Sequence, residues 1–277
     1  MTQSLGPIAE LRRFPVKSML GERCDQLMIE RAGAVGDRCC AVIDMTSAKL
    51  ASAKRPAPWR TLLTMTARLA GDEVEIDLSD GSMIRSDSPD CDSRLSAVVG
   101  RDVRLIRARD RAFEIDRADP DDVAERGVEG EVSYVELTIG QALPAGGFAD
   151  FAPIHLLSTA SLARVAEVIS PAEAERFRAN LLIDNQGAQP FAENDWIGRR
   201  IAIGEQLVLR VIEPTPRCAI PTLAHGPLPA NPRLTQIIGT LNKASMTGMP
   251  PLACLGAYAI VEQPGIVSQG DAARLID

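Results

Sequence analysis

The sequence is poor in aromatic residues and histidine, and it lacks several patterns that mark known kinds of site. Phe, Trp and Tyr make up 4% of the chain, so its core must consist mostly of Leu, Ile, Val and Ala. The two histidines, His155 and His225, are too few for a histidine-rich zinc site. The sequence contains no C-x-x-C pair, no iron–sulfur cysteine spacing and no dinucleotide-binding fingerprint.

Long stretches of one character are also missing. No run of Lys and Arg stands out and the net charge is -7, so nucleic acid is not an expected partner. The N-terminus does not resemble a signal peptide, no apolar run is long enough to span a membrane, and no basic amphipathic segment suits a membrane surface. We therefore expect a cytoplasmic protein without membrane contacts. Its cysteines are expected to be reduced thiols: Cys24, Cys39, Cys40, Cys91, Cys218 and Cys254.

The composition is that of a globular protein, and the local patterns favour β-strands. Of the 277 residues, 45% are hydrophobic and 24% are charged, which allows a sizeable core. The alternating runs EVEIDL and SMIR, separated by the turn pair Asp80-Gly81, predict a hairpin. An acidic, Gly/Pro-interrupted stretch over residues 111–147 predicts a connecting segment. We expect a mainly β chain with a few short helices and no doubly wound sheet.

A proline-rich segment around Cys218 is the sharpest local feature. It reads PTPRCAIPT from Pro214 to Thr222 and follows a predicted strand. The cationic neighbour Arg217 favours the thiolate, which is the form of cysteine that binds soft metals or acts as a nucleophile. A loop cysteine without any role is the alternative interpretation.

Further basic and polar residues lie in two distant segments. Lys17 and Ser18 follow the predicted first strand, and Arg38 comes about twenty residues later with a guanidinium fork suited to phosphate. The alternative for these three residues is a solvated surface. In RFRAN, the spacing of Arg176 and Arg178 puts them on different helix faces, so either one ligand contact or a surface ion-pair cluster is indicated.

The segment DFAPIHLLST carries a third group of candidates. His155 lies among apolar residues, which is the usual setting of a hydrogen-bonded core histidine. Ser158 suits a helix N-cap as well as it suits a ligand contact. Asp150 precedes the segment and offers a carboxylate.

Taken together, these segments resemble the MOSC family, named after the C-terminal domain of molybdenum cofactor sulfurase. The resemblance rests on the order of FPVKS, GDR, APIHLLSTASL, RFRAN, ENDWIGRRIAIG and PRC along nearly the whole chain. The sequence is also similar to the mitochondrial amidoxime-reducing component and its bacterial relatives. It implies two β-barrel-like domains with a ligand cleft between them: a MOSC N-terminal domain over residues 1–110 and a MOSC domain over residues 148–277.

The same resemblance implies a molybdenum pterin cofactor, with Cys218 as metal ligand and catalytic residue. The remaining implied cofactor contacts, together with the neighbour of the cysteine, are Lys17, Ser18, Arg38, Asp150, Ser158, Arg178, Asn180 and Arg217. The sequence lacks the pyridoxal phosphate domain of the full sulfurase, so no such site is expected. The implied function is reduction of small N-hydroxylated or N-oxygenated compounds with electrons from a separate ferredoxin-like or haem protein. A sulfur carrier with a Cys218 persulfide and a non-catalytic cofactor carrier are the alternatives.

Overall fold

A computed structural model describes residues 2–107, 112–144, 146–170 and 172–277, and it confirms a mainly β fold with a few short helices. The strands in the first half are β1 (Gln3–Arg13), β2 (Glu22–Cys24), β3 (Gln26–Glu30), β4 (Gly33–Ala34), β5 (Cys40–Asp44), β6 (Thr66–Ala70), β7 (Glu73–Asp77), β8 (Met83–Arg85), β9 (Val103–Arg107), β10 (Glu114–Ala118) and β11 (Tyr134–Thr138). Those in the second half are β12 (Ile154–Ser158), β13 (Leu181–Ile183), β14 (Arg200–Ile203), β15 (Leu207–Pro216), β16 (Lys243–Ala244), β17 (Leu252–Gln263), β18 (Gly265–Ser268) and β19 (Ala272–Ile276).

The helices are short. The α-helices are α1 (Pro56–Trp59), α2 (Cys91–Val99), α3 (Pro120–Arg126), α4 (Thr159–Ala166) and α5 (Leu234–Leu241). Short 3-10 segments cover Arg60–Thr64, Ala174–Phe177, Ala192–Trp196 and Ile220–Thr222.

Seven strands close into a barrel. Their order is β12, β13, β1, β19, β14, β15 and β17, and β17 pairs back to β12. Burial alternates along strands such as β19, because successive side chains of a strand point to opposite faces and every second one is buried. Leu, Ile, Val and Ala side chains fill the interior together with Trp196, as the composition predicts.

The N-terminal part beside the barrel has its own core. A two-stranded sheet of β5 and β9 and a three-stranded sheet of β6, β7 and β8 enclose it, and α2 packs against β9. The predicted hairpin is confirmed, because β7 and β8 pair in antiparallel register around the Asp80-Gly81 turn. Gly81 has φ +85°, a left-handed conformation that glycine adopts without steric cost.

The first strand links the two parts of the chain. β1 pairs with β13 and β19, so the N-terminal segment completes the barrel formed by the C-terminal half. Residues Phe14 to Leu20 then cross into the N-terminal part, where single bridges join Val16 to Cys40 and Leu20 to Thr66. The predicted domain boundary at residues 110–111 lies outside the described residues and stays a prediction.

Candidate functional site

A polar cavity lies between the barrel and the N-terminal part. Its volume is about 70 Å³. Ligand pockets usually reach roughly 300–1,000 Å³, so this cavity has room for a phosphate-sized group rather than for a whole cofactor. The lining residues are Lys17, Ser18, Arg38, Ser52, Lys54, Ala149, Asp150, Ala152, His155, Phe177, Arg178, Asn180, Thr215, Pro216, Arg217, Cys218, Ile220 and Tyr258.

The cavity joins eight of the nine residues that the sequence proposes for the site. Only Ser158 is absent from its lining. Ser158 is fully buried, its hydroxyl accepts a hydrogen bond from the Ser161 amide at the start of α4, and its own amide donates to Glu193 Oε1 at 2.9 Å. The N-cap interpretation of Ser158 is therefore the one that the structure supports.

Lys17 and Ser18 reach the cavity from the crossover after β1. Lys17 Nζ donates to the Phe148 carbonyl at 3.0 Å and forms an ion pair with Asp150 Oδ1 at 2.5 Å. Ser18 Oγ accepts a hydrogen bond from the Ala53 amide at 3.1 Å. Both side chains are buried, so the expectation of a solvated surface at these two positions does not apply.

Arg38 and Arg178 meet at the next part of the wall. Arg38 pairs with Asp37 and donates from Nη2 to the Arg178 carbonyl at 3.1 Å. Arg178 Nη1 donates to the Met19 carbonyl at 2.5 Å. Both guanidinium groups lie over the Phe14 ring, at 5.0 and 4.4 Å from its centroid. Two cations that are distant in sequence thus share one aromatic support.

Backbone conformation singles out the same residues. Among the described residues, five non-glycine residues have a left-handed backbone, and three of them line the cavity: Ser18 at φ 66°, Arg38 at φ 47° and Arg178 at φ 56°. This conformation is uncommon for residues with a side chain, and strain of this kind concentrates at functional sites. The surrounding contacts hold these three side chains toward the cavity at some cost in backbone energy.

Arg217 and Cys218 follow the end of β15. The Arg217 amide donates to the Ala253 carbonyl at 2.8 Å, and its guanidinium donates to the Phe177 and Leu255 carbonyls at 3.1 and 3.4 Å. Cys218 is 8% exposed and packs in a small apolar cluster with Ala53, Leu63, Ile220 and Leu223. The thiol is therefore a buried group at the rim of a cationic cavity.

The charges in the cavity are unbalanced. Lys17, Lys54, Arg38, Arg178 and Arg217 contribute five cations, and Asp150 is the carboxylate among the lining residues. Burial lowers the pKa of Lys17 to about 8, and burial with the neighbouring Arg38 lowers the pKa of Arg178 to about 9. Burial acts to raise the pKa of Asp150, but the Lys17 and Lys54 ammonium groups outweigh it and hold that pKa well below its usual value. An anion bound here would relieve the repulsion among the cations.

Three buried polar atoms at the cavity have no hydrogen-bond partner within the described residues: His155 Nε2, Thr215 Oγ1 and Arg217 Nε. Each such atom costs about 1–3 kcal/mol when nothing satisfies it. A bound polar ligand or ordered water would supply the missing partners. Burial, together with Arg217 and Arg38, keeps the pKa of His155 well below its usual value, so its imidazole is neutral.

Sequence reasoning missed several lining residues. Ser52, Lys54, Thr215 and Tyr258 were not proposed, and His155 was assigned to the core. His155 lies on β12, and its ring comes close to Gly256, where an added Cβ would stand 2.5 Å from His155 Nε2. Gly256, with φ +82°, was a usable signal, because a glycine inside a strand pattern often marks such a close approach.

Burial of Lys17 makes a testable prediction about pH. Between about pH 8 and 10.5 the unfolded chain keeps the Lys17 proton while the folded protein loses it, so this group makes the unfolding free energy rise with pH. Groups with raised pKa values, such as Tyr258, act in the opposite direction, so the comparison is with Lys17→Met. In anion-free protein, we compare the unfolding free energies of wild type and of Lys17→Met by urea unfolding. The value for wild type minus the value for Lys17→Met should increase by up to about 3 kcal/mol over this pH range. If the difference between the two unfolding free energies does not change with pH, Lys17 does not have the lowered pKa that its burial implies.

The second half of the chain matches the model of a known family. The family model for the MOSC domain matches residues 145–274. The chain carries a MOSC domain. MOSC domains form a family linked to molybdenum cofactor binding. Of the lining residues, Asp150, Arg178, Arg217 and Cys218 lie inside the matched range, whereas Lys17 and the others before residue 145 are contributed from outside it.

Solved structures with some similarity were also found. The YuaD protein from Bacillus subtilis is 14% identical, with a TM-score of 0.42 over 99% of this chain and 96% of its own. YiiM from Geobacillus stearothermophilus is 18% identical, with a TM-score of 0.35 over 52% of this chain and 67% of its own. YiiM from Escherichia coli is 19% identical, with a TM-score of 0.32 over 53% and 65%. No curated protein matched the sequence significantly.

Two further observations concern the described residues as a whole. No helix among them is long and apolar enough to cross a membrane. Nowhere in the described parts do three or more His, Cys, Asp or Glu side chains gather where they could hold a metal ion.

Proposed function

We propose that the MOSC domain and the N-terminal part together bind a molybdenum pterin cofactor in this cavity. The observation that carries the proposal is the meeting of one buried thiol, five cations and three unsatisfied polar atoms at a single cavity. The donor set suits an anionic group next to a soft metal. The small volume suits the phosphate end, while the remainder of the cofactor would extend out of the cavity.

The cations would hold the phosphate. Arg38 and Arg178 offer guanidinium forks, which suit two oxygens of one phosphate, and Lys17 and Lys54 offer point charges. Asp150 would keep both lysines in place, because it pairs with Lys17 at 2.5 Å and with Lys54 at 3.1 Å. A phosphate dianion would reduce the excess positive charge of the cavity.

Cys218 would be the protein ligand of the metal. A thiolate is the form of cysteine that binds metals, and Cys218 lines the same cavity as Arg217 and Arg178. His155 Nε2 and Thr215 Oγ1 have no hydrogen-bond partner in the part of the chain that the structure describes, and polar atoms of the cofactor would supply one. When bound, the cofactor would supply electron transfer through the pterin and oxygen-transfer chemistry at the metal.

The activity we propose is reduction of small N-hydroxylated or N-oxygenated compounds, with electrons from a separate ferredoxin-like or haem protein. A separate donor is supported by the sequence, which has neither an iron–sulfur cysteine spacing nor a dinucleotide fingerprint. The protein's residues would bind and orient the cofactor, and the buried His155 with the half-buried Tyr258 would limit the water that reaches it.

The reductase prediction is tested with protein purified from a host that makes the cofactor. With an amidoxime substrate, a chemically reduced viologen mediator should support steady turnover, whereas NADH alone should not. Turnover with NADH alone contradicts the need for a partner, and no turnover with the mediator in fully loaded protein contradicts the reductase. Stoichiometric molybdenum without turnover would leave a cofactor carrier, whereas protein without molybdenum but with a cyanide-releasable sulfur on Cys218 would identify a sulfur carrier.

A further inference from the structure

A second pocket of about 500 Å³ shares one lining residue, Arg217, with the cofactor cavity. This volume falls in the range of ordinary small-molecule sites, roughly 300–1,000 Å³. Its walls come from the end of β10 and the start of α3, from β11, from α5 and from the segment that leads into β17: Arg117, Ala118, Asp119, Pro120, Asp121, Ser133, Tyr134, Val135, Arg217, Thr235, Gln236, Gly239, Thr240, Lys243, Met249, Pro251, Leu252 and Ala253.

Two side chains of this pocket donate hydrogen bonds to the backbone carbonyls of Arg217 and Cys218. Arg117 Nη2 donates to the Arg217 carbonyl at 3.2 Å, and Thr235 Oγ1 donates to the Cys218 carbonyl at 3.2 Å. The pocket is therefore a separate space that shares Arg217 with the cofactor cavity.

The pocket combines exposed apolar side chains with cations that have no acidic partner. Tyr134, Val135 and Met249 are 49%, 58% and 43% exposed, so they offer apolar surface that a bound ligand would cover. Within the described ranges of the chain, neither Arg117 nor Lys243 forms an ion pair. A guanidinium has five N–H donors, so the bond to the Arg217 carbonyl leaves Arg117 with further donors to offer.

Two acids, Asp119 and Asp121, also line the pocket, against the three cations Arg117, Arg217 and Lys243. The Asp119 carboxylate caps α3 by accepting hydrogen bonds from the Asp121 and Asp122 amides, and the Asp121 side chain is exposed. The Tyr134 ring is fixed from one side by the Arg55 guanidinium, at 4.1 Å from its centroid, which leaves an aromatic surface for a flat ligand.

We propose that this second pocket binds a small organic anion with a flat apolar body, such as an aromatic carboxylate. The carboxylate would pair with Arg117 and Lys243, and the ring would lie against Tyr134, Met249 and Leu252. This inference does not depend on the cofactor, because no residue that carries it, apart from the shared Arg217, lines the cofactor cavity.

The test is a calorimetric titration of the purified protein with 2-naphthoate and, as a neutral match, with 2-naphthalenemethanol. We expect saturable binding of 2-naphthoate, and binding about tenfold weaker or worse both for the alcohol and for naphthoate with Arg117→Gln. Lys243→Gln should weaken binding less, because Lys243 is exposed. Arg164→Gln, an exposed arginine on α4, is the matched control and should bind as wild type does.

Arg38→Gln shows in which pocket naphthoate binds. If naphthoate binds in the cofactor cavity, Arg38→Gln should abolish its binding and Arg117→Gln should leave it unchanged. That pattern overturns the proposal, and so does the absence of saturable binding to wild type. If Arg117→Gln fails to fold, Thr240→Trp replaces it: Thr240 is exposed on α5, and a bulky ring there should block the pocket. Undiminished binding to Thr240→Trp also overturns the proposal.

Discussion

Cys218→Ser is expected to lower mediator-driven reductase activity by at least about 100-fold while the protein still folds. Loss of groups that merely orient metal ligands already costs roughly 10–100-fold, and a serine hydroxyl stays protonated where a cysteine forms a thiolate. Cys218 packs in an apolar cluster, so burying a hydroxyl there should cost about 1–3 kcal/mol of unfolding free energy. Activity, the absorption spectrum of the metal and urea unfolding are measured on the same preparation.

Cys24→Ser and Cys91→Ser are the matched controls for this prediction. Burial and nearby acids raise the pKa of the Cys24 thiol above its ordinary value, and they raise the pKa of Cys91 to about 11. Neither thiol lines the cofactor cavity, so both variants should keep wild-type activity and metal content. Full activity in Cys218→Ser contradicts the ligand role and leaves Cys218 as a packing residue.

The second large effect is expected from the arginines that face the cavity. Arg38→Gln should weaken retention of the cofactor about tenfold or more, because a charge-assisted hydrogen bond contributes roughly 1.5–3 kcal/mol and 1.4 kcal/mol is a factor of ten. Arg38→Lys should restore only part of this, since an ammonium group lacks the bidentate fork. The measurement is pterin content after exhaustive dialysis, with thermal unfolding as a check on the fold.

Arg178→Gln should weaken cofactor retention by a similar factor. In the double variant Arg38→Gln/Arg178→Gln, retention should fall by less than the product of the two single factors. Arg38 donates to the Arg178 carbonyl, and neighbouring residues that share partners do not act additively. Arg210→Gln is the control, because Arg210 on β15 pairs with Glu262 on β17 and does not line the cavity. Full retention of pterin in Arg38→Gln contradicts the phosphate site.

Local patterns were sufficient to predict the character of the fold but not its closure. The alternation in β7 and β8 and the turn at Asp80-Gly81 gave the hairpin, because strand period and turn chemistry are local properties. The pairing of β1 with β13, for example Ile8 with Ile183, joins residues far apart in the chain. No local pattern specifies such a partner, and the barrel therefore could not be derived from periodicity.

The candidate site divides in the same way. Cys218 could be singled out because a cationic neighbour and surrounding prolines are visible in sequence, and Lys17, Arg38 and Arg178 came with the family resemblance. Their convergence depends on left-handed backbone at Arg38 and Arg178, which has no marker when the residue is not glycine. Lys54 belongs to no motif and reaches Asp150 only through the fold. Ser158 fitted either of two roles by sequence, and its bonds to Ser161 and Glu193 decide for the cap.

The central claim is that one cavity binds a molybdenum pterin cofactor through a cationic cluster and Cys218. Its most direct test is the molybdenum and pterin content per chain of wild type and of Arg38→Gln/Arg178→Gln, purified side by side from a host that makes the cofactor. We expect stoichiometric molybdenum and pterin in wild type and a large loss of both in the double variant. Wild-type protein that contains neither, from cells in which a known molybdenum enzyme is fully loaded, contradicts it.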